Sequence, residues 1–351
     1  MKSALDDLIE LVNIPSLSGE EDAAADWIEK RLKSSGISTN RFNNNIWVIS
    51  HYYEAANPTV LLNSHLDTVK PGKEWTVPPF QCTKKGNQLI GLGINDAGAS
   101  LIGLLHTFLH FQHQQLPFNL VFCASAEEEN SGVNGFESIR NQFGKIDMAI
   151  VGEPTGGKVA IAEKGLLVID AVAKGVAGHA ARNTGKNAIY KALEDIERIR
   201  SYCFTNFSDL LGPVNINVTT INSGTQHNVI PDECRFTIDV RLNECYTHEQ
   251  IMQELQAICT SKLVARSTRL SPSHLPAGHV LQKTATALQL DCYGSPTMSD
   301  QALMPWPSIK LGIGESERSH TADEYIYEYE LERGILQYKA FIKQLQHEIM
   351  G

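Results

Sequence analysis

A chain of 351 residues with 42% hydrophobic and 20% charged side chains can bury a sizeable core. That excludes a disordered, collagen-like or coiled-coil protein. Its 30 Lys and Arg against 40 Asp and Glu leave a net charge of −10, which argues against nucleic acid as the main partner. No apolar run approaches the roughly 18 residues of a membrane span. The opening MKSALDDLIELVNIP is too acidic for a signal peptide. The 7 cysteines form no Cys-x-x-Cys pair, which reads as reduced thiols in a cytoplasmic protein.

In chain order, Leu5, Leu8, Ile9 and Val12 have helical spacing, and Pro15 stops that helix. Ser18 and Glu21 match a Ser-x-x-Glu capping box. The helix it would open carries Ala24, Trp27, Ile28 and Leu32 on one face. Strands are expected over 45–50 (NIWVIS), 59–63 (TVLLN), 116–125 (LPFNLVFCAS) and 148–151 (MAIV). Between the second and third, residues 98–113 are apolar on most faces and predict a buried helix. Strands alternating with helices point to an α/β domain with parallel neighbours in its sheet.

The pattern then changes. A strand over 166–173 and a helix over 187–201 precede two alternating strands, 214–221 and 234–242. A helix over 249–260 and a strand over 263–270 complete a small α+β unit. After Ser271-Pro272 the earlier style resumes, with a helix near 280–290, a strand at 308–311 and an amphipathic helix over 329–349. We therefore expect an outer α/β domain (residues 1–164 and 273–351) interrupted by an inserted one (165–272).

Five places carry candidate chemistry. His65 and Asp67 follow an expected strand, so both can point beyond its carboxyl end, where open α/β sheets place ligands. A metal-bound imidazole usually gives its second N–H to a carboxylate, as Asp67 can accept, although a plain His–Asp hydrogen bond needs no metal. Asp96 sits in the glycine-rich turn GLGINDAG before the buried helix, where an aspartate also serves as an ordinary cap. Glu127-Glu128-Glu129 follow a strand directly, and three such carboxylates repel unless cations or protons neutralise them. Glu153 again ends an apolar strand, and His320 lies after the Gly312-x-Gly314 turn. Either alone reads as a loop residue. Together, two histidines and three carboxylates suit two zinc-like cations sharing one bridging carboxylate, and imidazole with carboxylate oxygen fits Zn²⁺, Co²⁺ or Mn²⁺. A coordinated water would make the site hydrolytic.

These residues fall in SHLDTV (64–69), GLGINDAG (91–98), EEE (127–129), GEPT (152–155), GHAA (178–181), NVIPDE (228–233), DVR (239–241) and SHTADEY (319–325). With those motifs in that order, the chain resembles the M20 family of di-zinc amidohydrolases and peptidases, in the branch of acetylornithine deacetylase and succinyl-diaminopimelate desuccinylase. The resemblance implies that His65 and Glu153 hold one metal, Glu129 and His320 the other, and that Asp96 bridges them. Asp67 would support His65, and Glu128 would be the general base. The family usually has Asp-Glu-Glu where this chain has three glutamates, so a register with Glu127 as base stays open. Ala97-Gly98 also departs from the family, where many relatives carry a charged residue.

The resemblance further implies a metal-binding catalytic domain with a mixed, mainly parallel sheet, and an inserted α+β lid that makes a homodimer. His179 would bind the oxyanion across that dimer. Asn228 and Arg241 would contact substrate, Arg241 either as a carboxylate clamp or in a mere strand-end salt bridge. Gly312 and Gly314 would border the site. The activity implied is hydrolysis of the N-acyl amide of an N-acetyl- or N-succinyl amino acid, of the ornithine or citrulline type, in arginine or lysine biosynthesis. A dipeptidase, aminopeptidase or carboxypeptidase, or a non-catalytic binder of acyl amino acids, are the alternatives. No nucleic-acid or membrane partner is expected.

Overall fold

The protein is described by a computed structural model covering residues 3–182 and 184–351; Met1 and Lys2, with which the expected outer domain begins, lie outside the described residues. The chain forms two compact units, one of Met1–Ile161, Leu275–Tyr293 and Ser299–Gly351, the other of Ala162–His274 and Gly294–Met298.

The first unit opens with α1 (Ala4–Val12), capped reciprocally by Ser3 and Asp6. Helix α2 (Asp22–Lys33) follows, and here the expected capping box is corrected. Glu21 is the N-cap residue but makes no side-chain cap. Gly19, at φ +87°, turns the chain between Ser18 and Glu21, so the helix starts too late for Ser18 to reach it. Both side chains go to tertiary partners: Ser18 Oγ donates to Asp67 (2.7 Å), and Glu21 accepts from the Glu127 amide (3.2 Å).

Strands β1 (Asn40–Phe42), β2 (Asn45–Ile49), β3 (Thr59–His65), β4 (Thr83–Lys85) and β5 (Gln88–Ile90) come next. A wide turn over Ile94–Gly98 leads into α3 (Ala99–Phe111). Strand β6 (Asn119–Ser125), the single-turn α4 (Phe136–Ile139), β7 (Met148–Val151) and β8 (Val159–Glu163) complete this stretch, with the second unit beginning inside β8.

The second unit contains β9 (Gly165–Lys174), β10 (Gly178–His179), α5 (Ala188–Ser201), β11 (Asn215–Ser223), β12 (Val229–Ile230), β13 (Glu233–Leu242), α6 (His248–Ile258), β14 (Lys262–Ala265) and β15 (Ser273–His274). The expected strand over 263–270 is thus only four residues long. Beyond it lie α7 (Val280–Ala287), β16 (Cys292–Ser295), β17 (Ser308–Lys310), β18 (Tyr325–Tyr327) and α8 (Glu328–Met350).

The sheet of the first unit runs β1-β2-β6-β3-β7-β17-β8. Its centre is parallel: β3 pairs with β6 and β7, and β7 with β17. Every residue of β3 and β6 is buried, as the continuous apolar run of a parallel strand covered on both faces requires. Helix α3 makes the crossover between β3 and β6, and its Ile102, Leu105 and Phe108 join Val60, Leu62, Phe122, Phe341 and Leu345 in one core.

The second unit has an antiparallel sheet, β11-β13-β9-β14. Strands β9 and β13 alternate buried and half-exposed positions, so one face is covered. Ala188, Ala192 and Ile199 of α5 and Ile251 and Leu255 of α6 cover it. The observed architecture is the α/β fold with parallel neighbours that the strand and helix order predicts, and its sheet is the mixed, mainly parallel one that the resemblance implies. Among the described residues no helix is long and apolar enough to cross a membrane.

Candidate metal centre

Parallel pairing brings three strand ends to one edge of the sheet. His65, the last residue of β3, is in register with Ser125, the last of β6, and Asn63 with Val151, the last of β7. The amide of Gly152 donates to the Asn63 carbonyl (2.7 Å), so the chain leaving β7 delivers Glu153 beside His65. The chain leaving β6 delivers Glu128 and Glu129 to the same edge. A Cβ at Gly152 would press on Leu104, Ser100 and Ser64.

The side chains meet. His65 Nε2 lies 3.3 Å from Asp96 Oδ1 and 3.9 Å from Glu153 Oε1. His320 Nε2 lies 2.9 Å from Glu129 Oε2 and 3.6 Å from Asp96 Oδ2. Asp96 thus turns one oxygen toward each imidazole. Ligand atoms of His65, Asp96 and Glu129 all lie within 4.8 Å of one another, as do those of His65, Glu128 and Glu153. Asp96 does not cap α3, which starts at Ala99 without a side-chain cap.

Asp67 supports this edge from below. Its carboxylate accepts from the backbone N–H of Glu128 (3.0 Å) and of Glu129 (3.1 Å), and from Ser18. The Nδ1 of His65 is 2.9 Å from the Asp67 carbonyl and 3.4 Å from its carboxylate. One residue therefore orients the imidazole and both glutamates. Glu127 takes another course: at φ +54° its carboxylate turns back to accept from the amide and side chain of Asn134, both at 3.0 Å.

The electrostatics of the cluster are unbalanced. Burial pushes the Glu128 and Glu153 carboxyls well above their usual range, and the His65 imidazole only partly offsets this. Burial alone would lower the His65 imidazole, but Asp67, Asp96, Glu153 and Glu128 hold it well above its usual value. The hydrogen bond to Glu129 carries His320 up to about 9. The cluster therefore retains protons where a cation is wanted. The ion pairs of Asp96, Glu129 and Glu153 run to the two imidazoles. Four carboxylates and two imidazoles, with no thiol, suit Zn²⁺, Mn²⁺ or Co²⁺ and fit a pair of divalent ions sharing Asp96. A cavity of about 630 Å³ elsewhere in this unit, lined by Trp27, Lys30, Arg31 and Leu109, touches none of these residues.

The other sequence candidates fall in two groups. Gly314, at φ +90°, leaves no room for a Cβ beside the Asn95 carboxamide, and Gly312 none beside the Glu153 carbonyl. His179, Asn228 and Arg241 belong to the second unit. His179 is exposed, and its Nδ1 accepts from the Ala181 amide (3.1 Å). Asn228 is exposed, and its carbonyl accepts from Ala180. Arg241 grips Asp239 at 2.9 and 3.2 Å, the strand-end pair that was its other reading.

Three supporting acids and amides escaped the sequence analysis. Asp300 is buried and accepts from Asn63 (2.8 Å) and Ser125 (2.6 Å), one layer behind His65 and Glu128. Asn95 and Glu324 tie the Asp96 turn to the His320 loop. Glu324 stands in the SHTADEY motif, but nothing in its spacing announces a buried acceptor.

Comparison with known proteins places the chain among relatives. The profile of a peptidase dimerisation domain matches residues 161–267, and that of peptidase family M28 matches residues 45–149, which include His65, Asp96, Glu128 and Glu129. The succinyl-diaminopimelate desuccinylase of Corynebacterium glutamicum is 32% identical over 340 residues, covering 90% of this chain and 89% of that relative. Among solved structures, aminopeptidase PepT from Bacillus cereus superposes with a TM-score of 0.80 at 19% identity, covering 97% of this chain and 98% of its own. An M20 family metallo-carboxypeptidase from Sulfolobus solfataricus gives 0.79 at 17% identity, covering 99% and 100%.

Proposed function

Since the chain belongs to the M20 family of metal-dependent amidohydrolases and peptidases, we propose that it hydrolyses the N-acyl amide of an N-acyl amino acid. Its preferred class is an N-succinyl diamino acid, as the name of the Corynebacterium glutamicum relative suggests. N-acetyl or N-succinyl derivatives of ornithine and citrulline form the neighbouring class.

The observation that carries this reading is Glu128. It is a half-buried carboxylate whose proton affinity is raised, placed beside His65 and Glu153 and aimed by its own amide on Asp67. A general base needs such a carboxylate held at the edge of the site by its own backbone. His65 and Glu153 would hold one divalent ion, Glu129 and His320 the second, with Asp96 between them. When bound, such ions supply Lewis acidity and an acidic water. Glu128 takes the proton of the attacking water and passes one to the departing amine. Asp67 keeps His65 and the glutamates in place, and Gly312 and Gly314 let the chain pack directly against the Glu153 carbonyl and the Asn95 carboxamide at the border of the site. His179 is our candidate for the oxyanion donor, contributed across a homodimer built by the second unit. Asn228 and Arg241 are candidates for substrate contact, Arg241 releasing Asp239 for a substrate carboxylate.

The test is an assay of the zinc- or cobalt-reconstituted enzyme over succinyl, acetyl and formyl derivatives of diaminopimelate, ornithine, citrulline and lysine, beside a panel of di- and tripeptides. Equal release of acid and free amine from the succinyl or acetyl compounds is expected. Turnover of peptides alone, or binding without turnover, would overturn the proposal.

A further inference from the structure

We propose that Glu324 is a positioning residue that sets Asp96 and His320 relative to each other, so that their half of the metal centre is assembled before an ion arrives. The proposal rests on the two-ion reading above.

The turn carrying Asp96 leaves backbone donors without helical partners. Asp96 (φ −117°, ψ 95°) and Ala97 (φ −122°, ψ 32°) are far from helical geometry. The orphan amides of Gly93, Asn95 and Asp96 converge on one buried carboxylate, that of Glu324, at 3.0, 2.7 and 2.9 Å. The Glu324 carbonyl also accepts from the Gly91 amide (3.0 Å). Three converging donors need an acceptor with several lone pairs. A carboxylate has about four, a carboxamide oxygen only two, and its NH₂ would face a backbone N–H.

The tie is reciprocal. Asn95, inside the turn, reaches the His320 loop, donating to the Glu315 carbonyl and accepting from the Glu315 amide, both at 3.0 Å. Strand β18, which starts right after Glu324, pairs with β5, which ends right before the turn. His320 and Asp323 have left-handed backbones at φ +60° and +55°, a conformation that surrounding bonds must enforce. The turn and the loop therefore move as one piece. Their ligands meet at its tip, with His320 Nε2 3.6 Å from Asp96 Oδ2. His65 and Glu153 stand on β3 and after β7, outside this piece.

The experiment is a cobalt titration of the metal-stripped full chain, wild type against Glu324→Gln, read by visible absorption. Wild type should take two equivalents. The variant should lose a little affinity for the first, through the shared Asp96, and about 10–100-fold for the second, whose ligands Asp96 and His320 both depend on Glu324, the usual effect of losing a group behind a ligand. Its kcat should fall while KM holds. Two equivalents bound as in wild type, or both weakened alike, would overturn the proposal. Wild type that takes no second equivalent would instead overturn the two-ion reading itself. Should the variant fail to fold, hydrogen exchange of the metal-free wild type decides: amides 93, 95 and 96 should exchange as slowly as those of β3, and exchange at loop rates would overturn the proposal.

Discussion

Acidic side chains in the two units meet opposite fates. On the second unit's sheet, Asp170 is held by Arg266 at 2.8 and 2.9 Å, Asp239 by Arg241, and Glu233 by Lys174 and Arg235. These partners keep Asp170 and Glu233 below the usual carboxylate range. In the first unit even the fully buried Asp7 has Arg31 and His106, each at 2.8 Å. Glu153 is nearly as enclosed and Glu128 is half-buried, yet burial drives both upward. Asp7, Asp170, Asp239 and Glu233 each have a cationic partner, whereas at the carboxyl edge of the parallel sheet the carboxylates outnumber the two imidazoles that face them. The contrast teaches that the balancing charge there is to come from outside the chain.

The sharpest way to break this comparison is Glu128→Gln. Removing a general base typically costs about 10²–10⁴ in rate, and kcat should fall by that much with two bound ions retained by metal analysis. Next comes Asp67→Ala, which strips the acceptor from the Glu128 and Glu129 amides and from Ser18. Metal affinity should drop about 10–100-fold in a chelator competition; unchanged affinity would show that the edge needs no such support.

The pH dependence follows from the same imbalance. His320 is raised from 6.5 to about 9 by Glu129. The value is raised, so its contribution to the metal-free fold is complete below the ordinary value and is lost as pH climbs through the raised one. The Tm of the metal-free protein should fall between about pH 6.5 and 9, the window of His320. Divalent ions, which need deprotonated ligands, should bind more tightly over that same window. A Tm that rises across it would contradict the assignment.

The smallest effects belong to the second unit. Asp170→Asn should cost no more than about 1 kcal/mol in denaturant unfolding, as exposed ion pairs usually do. Arg241→Ala should be equally mild in stability, but KM for an anionic substrate should rise with kcat held. An unchanged KM would leave Arg241 as the partner of Asp239 and nothing more.

The strands that build the edge were legible because each apolar run is followed within a few residues by a histidine or an acid: TVLLNSH, NLVFCAS before Glu127, and MAIV before Glu153. Strand β8 was not: VAIAE stands only Lys164-Gly165 away from LLVIDAVA, and only the second was expected as a strand. The Ser18–Glu21 pattern misled because a local motif was outbid by tertiary partners. Glu324 and Asp300 were invisible for a plainer reason. Their hydrogen-bond partners Asp96 and Asn63 lie 228 and 237 positions away, and no periodicity reports on such pairs. A sequence displays the residues that end its strands, while the groups that brace them appear only once the chain has closed.

Anomalous diffraction from crystals equilibrated with Zn²⁺ tests the central claim most directly. The account predicts two peaks in the cluster, one between His65 and Glu153, the other between Glu129 and His320, with Asp96 reaching both. A single peak, or none among these five side chains, would contradict it.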